Sequence, residues 1–147
     1  MKLVDANVLL YAVDQNATHH GAAKAALDTT ISGPETTLLP WVSLLAFLRL
    51  ATHPAVYERP LTPDQALDVV DGWLGHPAVI TPQPDARHLG RMRALLAVTG
   101  RGGNLVNDAH LAALALQHDA LVLSFDNDFA RFPGVRWERP GTPDQPE

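Results

Sequence analysis

The sequence predicts an α/β fold, with a short, mainly parallel sheet covered by helices on both faces. Short apolar runs alternate along the chain with longer stretches of helical pattern, the order that a parallel sheet requires. The runs at Lys2 to Val4 and Ala120 to Leu123 read as strands buried between layers. At 147 residues, 46% of them apolar, the chain can bury one substantial core and is too short for two.

Lys2 to Val4 is the first expected strand and ends at Asp5. Asn7 to Tyr11 begins a short helix, and His19 to Leu27 has helical composition before Gly33-Pro34 breaks the chain. Thr36 to Leu39 is a second short strand. Trp41 to Thr52, WVSLLAFLRLAT, is a strongly apolar helix stopped before Pro54. Thr62-Pro63-Asp64 starts the next, with Thr62 as N-cap and Pro63 in the first position, and it runs to about Leu74. Pro77 to Ile80 is a brief strand. Asp85 to Val98 is a helix capped by Pro84-Asp85 and ended by Gly100.

Another helix is expected to open on Asp108. Its Leu111, Leu114, Ala115 and His118 fall at i, i+3, i+4 and i+7, while Ala109, Ala112, Ala113 and Leu116 make the rest apolar too. Such a helix is wedged between layers. The strand Ala120 to Leu123 follows and ends in Ser124-Phe125-Asp126-Asn127-Asp128, and Val135 to Trp137 adds an edge strand. The stretch from Glu138 is rich in Pro and polar residues and reads as mobile. The expected organisation is one domain over residues 1–140 and a mobile tail over 141–147, without repeats or interior linker.

Composition excludes several classes. There is no cysteine, hence no disulfide scaffold, no Cys-based zinc site and no cysteine nucleophile. No apolar run is long enough to span a membrane, and the N-terminus, with Asp5 inside it, does not read as a signal peptide. A cytoplasmic setting is the simplest expectation. The net charge of −5 counts against a nucleic-acid partner, which basic chains favour. However, twelve of the sixteen acids are Asp, which can gather around a cation, and nine of the eleven bases are Arg, suited to phosphate.

Each acidic motif has a plain structural reading. Asp5 can simply end a strand, Asp108 can cap a helix, and Asp126-Asn127-Asp128 can form a turn. All three nevertheless lie where strands stop or a helix starts, the edge at which open α/β sheets bind ligands. If those edges coincide, like charges crowd together and call for a divalent cation. All-oxygen ligation suits Mg²⁺ or Mn²⁺. Such a site hydrolyses phosphodiesters by in-line attack of an activated water.

Asp5-Ala-Asn7-Val8-Leu9-Leu10-Tyr11-Ala12, Asp108-Ala-His-Leu-Ala-Ala-Leu-Ala115 and Ser124-Phe-Asp126-Asn-Asp128-Phe129 resemble, in order, the acidic motifs of the PIN-domain family. The closing Phe132-Pro-Gly-Val-Arg-Trp137 resembles its VapC branch, the toxins of bacterial toxin–antitoxin pairs. The resemblance spans residues 1 to about 140. It implies a three-layer α/β/α sandwich and a Mg²⁺-dependent endoribonuclease acting on transfer or ribosomal RNA. It also implies a homodimer and inhibition by a small antitoxin, expected to offer an Arg to the acidic pocket.

By position, the resemblance makes Asp5, Asp108 and Asp126 the catalytic and metal-binding set. Asp128 holds a water or supports the site, and Asn7 and Ser124 orient carboxylates. Arg49 would contact phosphate or a site carboxylate. One departure stands out. Many members carry Glu-Phe-x-Arg where this chain reads Ala46-Phe47-Leu48-Arg49, and none of its glutamates (Glu35, Glu58, Glu138 and Glu147) lies in that helix. Weaker metal binding is expected.

The remaining signals read as structure. Arg87, Arg91 and Arg93 with His88 form a solvated face, the seven histidines lack metal spacing, and Trp41, Trp73 and Trp137 are packing residues. A binding module without catalysis, motivated by Ala46, is the alternative reading. An aspartyl phosphatase is disfavoured by Asn at position 7, and a P-loop enzyme by the lack of its motif.

Overall fold

The computed structural model describes residues 1–141. The elements run β1 (Lys2–Val4), α1 (Ala6–Val13), α2 (His20–Ser32), β2 (Thr37–Leu38), α3 (Trp41–Ala51), α4 (Pro63–Leu74), β3 (Val79–Ile80), α5 (His88–Thr99), α6 (Leu105–His118), β4 (Leu121–Leu123) and β5 (Trp137–Glu138). A 3₁₀ turn, Asn127–Arg131, lies between the last two strands. The five strands form one all-parallel sheet in the order β3-β2-β1-β4-β5.

Alternation along the strands divides the core. Val4, Leu39 and Leu123 join α1, α2, α3 and α4 through Leu9, Leu27, Phe47 and Trp73. Their neighbours Leu3, Leu38 and Val122 join α5 and α6 through Leu95, Ala112 and Leu114, with Phe129 and Phe132. Successive strand residues therefore face opposite helical layers, the three-layer α/β/α arrangement. On the first face Phe47 meets Trp73 edge to face, with ring centroids 4.9 Å apart. On the second, the small residues of α6, Ala109, Ala112, Ala113 and Ala115, are all buried, so this helix lies close against both the sheet and α5.

Local chemistry explains most element ends. Thr62 accepts from the Gln65 backbone N–H at 3.1 Å, and the Gln65 side chain accepts from Thr62 N–H at 3.0 Å, closing a capping box on α4. Thr52 ends α3 by donating its hydroxyl to the Leu48 carbonyl at 2.7 Å.

Four sequence expectations need correction. Helix α6 opens at Leu105, not at Asp108, because Leu105 is a core residue that joins the first turn after Gly103, which has φ +60°. Helix α5 opens at His88, since the Asp85 carboxylate accepts from the Arg87 N–H at 2.9 Å and makes a turn of the expected first residues. Glu138 is not in a loose tail: it pairs with Leu123 in β5, and its carboxylate meets Lys2 at 2.7 Å. Trp41 is 45% exposed at the start of α3, whereas Trp73 is buried and Trp137 packs on the α6 side. Apart from Gly141, the tail expected over 141–147 lies outside the described residues.

Candidate active site

The strand order reverses between β1 and β4, which are neighbours although most of the chain separates them. Beyond the carboxyl ends of these two strands lies the crevice where open α/β sheets take their ligands. Val4 pairs with Leu123, so the next residues, Asp5 and Ser124, emerge side by side. The Asp5 N–H donates to the Leu123 carbonyl at 3.0 Å, extending the ladder by one bond.

Asp5 is 9% exposed, and each of its carboxylate oxygens accepts a hydrogen bond. Its Oδ1 accepts from the Ala6 N–H at 2.7 Å, capping α1, and its Oδ2 accepts from the Ser124 hydroxyl at 2.7 Å. Ser124 Oγ in turn accepts from the Asp126 N–H at 2.9 Å and from Asn7 Nδ2 at 3.3 Å. Asn7 Oδ1 accepts from the Phe125 N–H at 3.2 Å, and Asp126 Oδ1 from the Asp128 N–H at 2.9 Å. Asn7 and Ser124 thus tie the end of β1 to the loop after β4.

Asp108 reaches the same place from the first turn of α6. It is not the helix cap, so its side chain is free to point elsewhere. Carboxylate oxygens of Asp108, Asp126 and Asp128 lie within 4.8 Å of one another. A cleft of about 500 Å³ is lined by these three and by Asp5, Asn7, Asn104 and Asn107, with Ser43, Ala46 and Leu50 of α3 along one wall.

Electrostatics mark the crowding. The Asp108 carboxyl is pushed up to about 7, first by burial, then by the negative charges of Asp126 and Asp5, to which Asp128 adds. Asp5 is raised as well. Burial is the main cause, opposed by the hydrogen bonds from Ser124 and Ala6, and the charge of Asp126 adds to it. A set of converging carboxylates with amide oxygens beside them is the donor chemistry of a hard divalent cation.

Every acidic residue singled out from the sequence lies in this cleft, and Ala46 lies on its wall. Arg49 does not: it is exposed on α3, outside the cleft lining. Arg87 and Arg93 are exposed, and Arg91 is held by Asp85 at 2.6 Å. Asn104, Asn107 and Ser43 went unremarked in the sequence. The helical offset of Ser43 from Ala46 is the signal that would have found it.

Residues 2–135 match the family described as PIN domain. Ribonuclease VapC37 of Mycobacterium tuberculosis is 48% identical over 140 residues, which cover 95% of this chain and 97% of that one. Ribonuclease VapC43 of the same species is 37% identical over 140 residues, 95% of each chain. Among solved structures, VapBC2 from Rickettsia felis, bound to a DNA fragment from its promoter, superposes with a TM-score of 0.66 at 18% identity, covering 95% of this chain and 98% of that one. VapC20 of Mycobacterium tuberculosis, described as a sarcin–ricin loop cleaving toxin, has a TM-score of 0.65 at 19% identity, covering 92% and 99%. These two likenesses show a shared fold.

Proposed function

Because the chain belongs to the PIN-domain family, in its VapC branch, we propose that it is a metal-dependent endoribonuclease toxin. Its reaction is hydrolysis of RNA phosphodiester bonds, and a cognate antitoxin holds it in check. The observation that carries this reading is the convergence of Asp5, Asp108, Asp126 and Asp128 on one cleft.

The donor set fits a divalent cation. Asp108, Asp126 and Asp128 bring carboxylate oxygens within 4.8 Å of one another, an arrangement in which a cation's charge relieves the repulsion. Asp108 and Asp126 would hold the ion with Asp5, and Asp128 would support it. Mg²⁺ or Mn²⁺ bound there supplies a Lewis acid for a phosphoryl oxygen and for the attacking water. The protein's own part is orientation. Ser124 and Ala6 fix both oxygens of Asp5, and the Asp128 N–H fixes one oxygen of Asp126. Asp108, whose carboxyl is raised by the crowding, would have to be deprotonated to serve as a ligand. Asn7 and Ser124 hold the two strand ends at one spacing.

An acidic cleft favours a basic side chain, and the antitoxin is expected to place an Arg in it. A homodimer, a ribosomal or transfer RNA substrate and a cytoplasmic setting complete the reading. No helix among the described residues is long and apolar enough to cross a membrane.

The test is incubation of the purified chain with structured RNA and Mg²⁺ or Mn²⁺, beside Asp5→Asn. Cleavage by the wild type that the variant loses supports the enzyme. Equal background in both supports the binding module that Ala46 would explain.

A further inference from the structure

The backbone that leads into Asp126 is clamped from two sides. The Phe125 N–H donates to Asn7 Oδ1 at 3.2 Å, and the Phe125 carbonyl accepts from Arg139 Nη1 at 3.2 Å. Among the described residues Arg139 is the only partner of that carbonyl. The same guanidinium has its Nη2 3.4 Å from His19 Nε2 and its Cζ 5.3 Å from the centroid of the Phe125 ring. His19 stacks on that ring, with centroids 4.8 Å and planes 15° apart, and Tyr11 packs against it at 5.4 Å.

The register of the sheet brings Arg139 there. Val4 pairs with Leu123, and Leu123 with Glu138. The next residues on three adjacent strands are therefore Asp5, Ser124 and Arg139, one row along the carboxyl edge. The first is a carboxylate of the cleft and the second holds it. The third reaches the loop that carries Asp126 and Asp128.

Arg139 is not there for an ion pair. Among the described residues it forms no salt bridge, and the adjacent Glu138 is taken by Lys2 at 2.7 Å. A planar guanidinium has donors in a fixed fork, so two partners at once fix its orientation and theirs. The carboxylate of Asp126 is otherwise braced by the Asp128 N–H, which belongs to the same loop.

We propose that Arg139 is a positioning residue for Asp126. By holding the Phe125 carbonyl it sets the peptide from which Asp126 projects, and with it the direction in which that carboxylate enters the cleft. The inference rests on the metal-centre reading above and adds the end of β5 to the structures that build the site. Charge alone predicts the opposite effect of removing it: a protein with one cation fewer attracts a metal ion more strongly.

The test is Mn²⁺ binding to the full chain without RNA, by calorimetry, with the metal-free stability of each protein measured in urea. The proteins are the wild type, Arg139→Met, which removes the donors, Arg139→Lys, which keeps the charge and a donor, and Arg136→Met. Arg136 donates to the Asp119 carbonyl at 2.9 Å at the other end of β5 and is the control for a lost arginine–carbonyl bond. Arg139→Met is expected to weaken Mn²⁺ binding about tenfold, the lower end for hydrogen bonds behind a metal's ligands. Arg139→Lys should lose less, about threefold, because it lacks the fork. Arg136→Met should stay within about twofold of the wild type, whatever its stability in urea.

Unchanged or tighter Mn²⁺ binding by Arg139→Met overturns this inference alone. An equal weakening in Arg136→Met shows a general effect of lost stability and overturns it too. If Arg139→Met does not fold, Arg139→Lys decides: weaker binding supports the inference, and unchanged or tighter binding overturns it. Failure of the wild type to bind Mn²⁺ overturns the metal centre and this inference with it.

Discussion

The hydroxyl of Ser124 donates to Asp5 Oδ2 at 2.7 Å, joining two residues 119 positions apart at the ends of adjacent strands. Ser124 Oγ also accepts from the Asp126 backbone N–H. One small side chain therefore orients the Asp5 carboxylate and holds the backbone from which Asp126 projects. Ser124→Ala removes the bond that opposes the burial of Asp5 and leaves the Asp126 N–H unpaired. The expected cost is about 1–3 kcal/mol of stability, and about 10- to 100-fold in Mn²⁺ affinity or RNA cleavage. Urea denaturation and ion titration read the two effects separately.

Asp108 predicts a pH dependence of stability. Its carboxyl titrates at about 7 when folded, against 3.8 as the ordinary value. Between those values the folded chain holds a proton that the unfolded chain has released, so metal-free stability falls as pH rises through the window and levels off above about 7. Asp5 is raised too and acts in the same direction. After discounting for solvent around the half-buried Asp108, the fall is on the order of 1–2 kcal/mol. Asp108→Asn should flatten the profile and be the more stable protein at pH 8. A wild-type profile that rises from pH 4 to pH 7 would contradict the crowding.

The same proton competes with the ion. Mn²⁺ affinity should climb as pH rises towards about 7 and then level off. Binding at pH 6 should release a proton, detected by calorimetry in buffers of different ionisation enthalpy.

Ala46→Glu adds a carboxylate to the wall of the cleft. Without metal it increases the repulsion, and thermal stability should drop. With Mn²⁺ or Mg²⁺ the sign reverses and affinity should rise about tenfold or more. A variant that loses stability with no gain in affinity would remove α3 from the neighbourhood of the ion.

Thr62→Ala is the control distant from this chemistry. It breaks the capping box of α4, with an expected loss of about 1 kcal/mol in urea. Ion binding should be unchanged.

Much of the cleft was legible because its acidic residues sit at punctuation marks. Asp5 follows an apolar strand, and Asp126 follows Ser124 at the end of another, so their shared edge could be read from the β-α alternation. Asp108 was legible by motif, but its position in α6 was not. Asn104 is of a type that caps helices and does sit at the cap position, but its side chain makes no cap bond, and it is the burial of Leu105 against the core that extends the helix. Arg49 and Ser43 show the limit from both sides. Each is a polar residue on the apolar helix α3, and only packing against the rest of the fold decides that Ser43 turns inward and Arg49 outward. Trp41 is exposed for the same reason.

The pairing of β1 with β4 also sets a schedule. The first aspartate leaves the ribosome almost at once, yet the strand that must lie beside it is made only after residue 120. Until then Asp5 lacks both its hydroxyl donor and its acidic neighbours, and the half-made chain has no place to hold an ion. A long-range contact of this kind is slow to close. The carboxylates of the cleft are therefore gathered only when synthesis of the chain is nearly complete.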